Sequence, residues 1–108
     1  MAAAHLPASP LMIRATGDRR AELVLTGDIG AHALRPLEER LAAPQLSETD
    51  EWVVDMSGAT HLDLACAYAL LRAATRWPAT AVTIRGARRA VHRTLHQAGF
   101  DAVAVMED

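Results

Sequence analysis

The sequence has no lysine, one cysteine, and aromatic residues at only 4% of its 108 positions. Each shortage excludes something. A single cysteine cannot close an internal disulfide, which suits a reducing compartment. With so few rings, the core must be built from Ala, Leu and Val. Without lysine, arginine carries all eleven formal cations, and the net charge is −2. That balance leaves no cationic excess to displace counterions, so no nucleic-acid partner is expected. No apolar run approaches the ~20 residues that cross a bilayer, so direct membrane insertion is not expected either. The opening MAAAHLPASP lacks a basic n-region and a long apolar h-region. Residues 1–10 read as a flexible tail rather than a secretion signal, and the expected location is cytoplasmic.

Apolar residues make up 51% of the chain. At this length the chain is read as one domain over residues 11–108, able to bury roughly two-thirds of its unfolded surface without staples. Leu11–Ala15 and Glu22–Thr26 read as strands joined by a turn at Gly17-Asp18, with Gly27-Asp28 ending the second. From Ile29 to Leu41, leucines at 34, 37 and 41 share a helical face, with Pro36 in an early turn. Pro44–Asp50 reads as a polar connection.

The stretch from Glu51 to Leu71, EWVVDMSGATHLDLACAYALL, carries the most information. Trp52, Val54 and Met56 alternate as one face of a buried strand, and Ser57-Gly58 is expected to break it. Asp63 stands where a helix begins, and that helix, Leu64 to Trp77, carries Leu64, Ala67, Tyr68, Leu71 and Ala74 at helical spacing. Pro78 stops it. Ala81–Arg85 is a further strand. Arg88–Ala98 is a helix with Val91, Leu95 and Ala98 inward, capped by Gly99. Ala102–Met106 is a last short strand. Alternating strands and helices after an opening hairpin predict an α/β fold: a mixed, mostly parallel sheet with helices packed against it.

Three blocks resemble the STAS domain family, shared by sulfate transporters and anti-sigma factor antagonists. They are LTGDIGAHALRPLEERL from Leu25, VVDMSGATHLDLACAYALLRAA from Val53, and IRGARRAVHRTLHQAGFDAV from Ile84. The likeness as a whole covers about Leu11 to Val105. The resemblance implies the STAS-type fold and a protein-binding regulator rather than an enzyme, with no cofactor. In the regulatory branch, the unphosphorylated domain docks on an anti-sigma factor, often a protein kinase. Phosphorylation of a Ser or Thr at the start of the second helix breaks the complex, because a phosphate adds nearly two charges to a packed interface.

The chain departs from that pattern. Leu64 and Ala65 occupy the hydroxyl positions, so Ala65 is a degenerate phosphoacceptor position. Cys66 replaces the family glycine, and Gly30 stands where an aspartate is usual. Phospho-switching at the usual position is therefore not expected, while docking by the same surface is. The resemblance places the partner-binding residues at Asp63, Leu64, Ala65 and Cys66, with Gly30, Ala31 and His32 beside them. The implied partner is an anti-sigma factor or a related kinase-like protein. An alternative is an accessory subunit that grips the ATPase of a phospholipid-transport ABC system. A homodimer stays open.

Other residues invite rival readings. Ser57 and Thr60 are hydroxyls near the site; local hydrogen bonding is the expectation, and a substitute phosphoacceptor the alternative. Cys66 with His61 and Asp63 suggests a small thiol enzyme, but a lone Cys on an Ala-rich helix is expected to be packing. His92 and His96 have the spacing of two metal ligands without a third, and a solvated face is expected. Arg85, Arg88, Arg89 and Arg93 form a basic cluster, read as a solvated face or as a patch for an acidic partner. Trp52 and Trp77 complete the core edge or anchor an interface.

Overall fold

The computed structural model describes residues 11–15, 17, 19–77 and 79–107. The expected tail at 1–10, Asp18 of the first turn and the helix stop at Pro78 lie outside them. Five strands form one sheet in the order β1 (Leu11–Ala15), β2 (Arg20–Ile29), β3 (Glu51–Leu62), β4 (Ala81–Arg85) and β5 (Ala104–Glu107). β1 and β2 are the antiparallel hairpin; every later neighbour is parallel. The connections carry α1 (Leu34–Leu41), α2 (Leu64–Arg76) and α3 (Arg89–Ala98).

All three helices cover one face of the sheet. The inward residues of β1 to β4 (Leu11, Leu23, Leu25, Trp52, Val54, Met56, Val82 and Ile84) join the buried residues of the helices in one apolar cluster. The alternation predicted for Trp52, Val54 and Met56 holds, each being fully buried. Val53, on the opposite face, is also buried. Trp52 is seated from below by the connection expected to be merely polar. Pro44–Glu48 winds as a 3-10 turn that buries Leu46. The indole Nε1 donates to Thr49 Oγ1 at 2.8 Å, and that hydroxyl donates to Leu46 O at 2.8 Å.

Four sequence expectations need correction. Gly27-Asp28 does not end β2, and Ser57-Gly58 does not break β3; both strands run on together. Val24 pairs with Asp55 but Thr26 with Gly58, and Gly27 pairs with Ala59 but Asp28 with His61, so two register shifts absorb extra residues in β3. Gly58 serves close approach rather than a turn, since a Cβ there would lie 3.0 Å from the Thr26 methyl. In α2, Leu64 and Tyr68 point outward, 39% and 41% exposed, while Cys66, Ala67, Ala69, Leu70, Ala73 and Ala74 are buried. Small residues let the helix lie close to the sheet, so packing selected the alanine side over the larger apolar stripe. Finally, β5 starts at Ala104, because Phe100–Ala102 forms a 3-10 turn that inserts Phe100 fully into the core.

Gly86 closes β4 at φ +74°, and a Cβ there would sit 2.9 Å from Ser57 Cβ. Gly86→Ala combines a left-handed backbone with a clash against β3. It should cost about 2 kcal/mol in a urea melt; a loss below about 0.5 kcal/mol would mean that β3 gives way freely.

Candidate functional site

The site lies at the carboxyl edge of the sheet, where β2 and β3 end and α2 begins. Asp63 has extended backbone (φ −70°, ψ 145°), and its Oδ2 accepts from Ala65 N at 3.0 Å. It therefore caps α2 as its position predicts, a contact worth ~1 kcal/mol. Asp63 N donates to Ile29 O at 2.8 Å, which ties the helix start to the end of β2. Ile29 leads into Gly30 and a 3-10 turn over Ala31–Ala33. The residues singled out on the two segments, 30–32 and 63–66, are thus brought together.

They are not equally accessible. Leu64 is exposed, Asp63 and Ala65 are half-buried, and Ala31 and His32 are exposed. Gly30 and Cys66 are buried. The Cys66 thiol donates to Gly30 O at 3.4 Å, so it holds the two segments together from beneath. A partner-facing role for the Cys66 side chain does not fit this placement. The departure at Gly30 also has a local basis, because a Cβ there would press on the His32 ring at 3.1 Å.

The missed residue is Tyr68. It lies one turn after Leu64 on α2, so the two share a face. Helical spacing puts Tyr68 on one apolar stripe with Leu64, and only Leu64 is expected at the partner-facing helix start; the exposure of both makes them an apolar ridge beside the capped helix start. Leu71, half-buried one turn further on, continues the ridge. The signal available was the alanine-rich opposite side of the helix, which suits close packing.

The electrostatics do not activate Cys66. Burial first, then Asp63 and Glu38, push the Cys66 thiol up from its ordinary range. A thiol so protonated is a poor nucleophile. Alkylation by iodoacetamide at neutral pH should therefore be slow in the folded protein and fast in urea. Rapid labelling of the native state would revive the thiol-enzyme reading.

Ser57 is occupied locally: its hydroxyl and its amide donate to Asp55 Oδ1 at 2.7 and 2.9 Å. The hydroxyl contact, then the amide, hold the Asp55 carboxyl below its usual range. Thr60 is exposed on β3 beside His61, whose Nδ1 lies 2.9 Å from Asp28 Oδ1. His92 and His96 are exposed on α3, and His96 pairs with Asp101. Among the described residues, no three His, Cys, Asp or Glu side chains are grouped to hold a metal, and no helix is long and apolar enough to cross a membrane. Trp77 ends α2 partly exposed.

The same architecture occurs in solved proteins. An anti-sigma factor antagonist from Mycobacterium paratuberculosis superposes with a TM-score of 0.76 at 17% identity, over 90% of this chain and 83% of that one. The anti-sigma factor antagonist SpoIIAA in its unphosphorylated form gives 0.70 at 13% identity, over 91% and 87%. Its phosphorylated form, from Bacillus, gives 0.69 at 9% identity, over 89% of each chain. At such identities the likeness is one of fold. No curated protein matches the sequence. A family described as "Mlab, STAS domain" matches residues 12–107, nearly the whole chain. On that match, the mixed five-stranded sheet and the capped second helix are those of a protein that belongs to the STAS-domain family.

Proposed function

We propose that this chain is a non-enzymatic regulator of the anti-sigma factor antagonist type, working in the cytoplasm. It docks on an anti-sigma factor or a related kinase-like protein through the start of α2. The observation that carries this reading is the apolar ridge of Leu64 and Tyr68, set beside a capped helix start whose next residues offer no hydroxyl. Ala31 and His32 flank it. Isolated exposed apolar residues are ordinary, but Leu64 and Tyr68 stand one turn apart beside the bond from Asp63 to Ile29, and a partner covering that edge would bury both. An alanine at 65 cannot accept a phosphoryl group, so docking is not switched there and is set by apolar contact and shape.

A second reading is favoured by one observation, the description "Mlab" of the matching family. In it, the same ridge grips the ATP-binding subunit of a phospholipid-transport ABC system. One experiment tests both. Each anti-sigma factor and each ABC ATPase subunit encoded in the source genome is purified and titrated with the wild-type protein and with Ala65→Asp. Binding to one of them that the variant loses supports the docking surface, and the class that binds selects the reading. Binding to none would sink both.

A further inference from the structure

We infer that the partner presents an acidic protein surface to the start of α3, where Arg88, Arg89 and Arg93 form a second recognition element. The inference rests on the docking reading above. Charge is unevenly distributed along the chain. Residues 81–98 hold four arginines and no Asp or Glu, a formal +4, while the rest holds seven arginines against 13 acids, a formal −6. Arg85 is answered inside the molecule, by Glu107 at 3.5 Å and by the nearby Asp55. No ion pair holds Arg88, Arg89 or Arg93 among the described residues, nor Arg35, Arg40 or Arg76, whereas Arg14, Arg19, Arg20 and Arg72 each face a carboxylate. All three are exposed.

Their position works against the helix. Arg88 is the N-cap of α3 and Arg89 its first residue; no side chain caps this end, and no acid lies in its first turn. The amino end of a helix carries positive partial charge, so cations there are unfavourable and Asp, Asn, Ser or Thr would be stabilising. α2 follows that rule with Asp63, and α3 breaks it. A locally unfavourable pair kept without an internal partner points to an external one.

Topology supplies the context. β3 and β4 are parallel neighbours, and α2 and α3 follow them directly. Both helices therefore begin beyond the carboxyl ends of neighbouring strands, α3 close to Ser57, against which Gly86 packs, and α2 further along, since β3 runs on from Met56 to Leu62 past the end of β4. A partner covering both helix starts meets apolar contact at α2 and guanidinium groups at α3. Carboxylates suit those groups, because Arg pairs with them through a planar fork. Anionic lipid is the less favoured source of negative charge, since three cations give only weak attraction to a surface.

The test pairs stability with binding. Arg88→Glu/Arg89→Glu is expected to raise Tm by a few degrees, because carboxylates suit a helix start. The same variant should bind the partner found in the titrations above at least about tenfold more weakly, and Arg93→Glu should also bind less well. Wild-type affinity should fall several-fold between about 50 and about 300 mM NaCl, and the double variant should lose that dependence. Unchanged binding by the double variant, with Ala65→Asp still disruptive, would overturn this inference and leave the docking reading standing. A lower Tm would show that the arginines stabilise α3, and would overturn it too. Arginine-dependent sedimentation with equimolar phosphatidylglycerol and phosphatidylcholine vesicles, in place of protein binding, would replace the acidic protein by a lipid. Binding by no protein of the panel overturns both readings together.

Discussion

Trp52→Ala is expected to remove about 3–5 kcal/mol of folding stability, most of what a chain of this size can spare. Trp52 is fully buried in the middle strand, with Ala21 and Val82 as its register partners on either side. Truncation would leave a void between sheet and helices that neighbours as small as Ala21 cannot fill. It would also strip the indole donor from Thr49, a buried hydroxyl that fixes the 3-10 turn before β3. Trp52→Phe separates the two effects. It keeps most of the volume and loses the N–H, so it should cost about 1–2 kcal/mol. Urea denaturation measures both. A loss under about 1 kcal/mol for the alanine variant would mean that the core closes over the gap and that the turn stands without its anchor.

That anchor was half legible in the sequence. Trp52, Val54 and Met56 announce a buried face by alternation alone, but nothing local says that Leu46 and Thr49 fold back beneath the indole. The same limit explains the strand ends. Ser57-Gly58 and Gly27-Asp28 are turn residues by type, and sequence reading stops a strand at each. The structure carries both strands through, because the two irregular stretches lie opposite one another and pair by shifting register. Facing irregularities belong to two distant segments and leave no trace in either one. The hairpin, the strand–helix alternation, Asp63 as a cap and Gly99 in left-handed conformation at the end of α3 were all legible, because each depends on neighbours along the chain.

The candidate site divides in the same way. Its location follows from Asp63 and the helix that it starts. Which side of α2 faces outward does not, since Leu64, Tyr68 and Leu71 and the alanine side are both apolar. Only the closeness of sheet and helix decides between them, and it sends Leu64 and Tyr68 to the surface while Leu71 stays half-buried against the core. Cys66 followed them in sequence but not in space. Its thiol is turned to Gly30 O, so it contributes to the shape of the surface while remaining beneath it.

Ala65→Asp is the sharpest probe of that surface. Position 65 is the second residue of α2, and its amide is already held by Asp63. A carboxylate in a first helical turn interacts favourably with the helix dipole, which partly offsets repulsion from Asp63, so folding stability should change by less than about 1 kcal/mol. Docking has no such compensation. A charge enclosed against an apolar surface without a partner costs about 3 kcal/mol, roughly a hundredfold or more in Kd. Ala65→Ser is the control, since a small hydroxyl can bond locally to backbone and should leave Kd within about threefold. Calorimetric titration reads the binding, and a urea melt confirms the fold. If Ala65→Asp bound as tightly as the wild type, the half-buried helix start would have to lie outside the interface, and the exposure of Leu64 and Tyr68 would need another explanation.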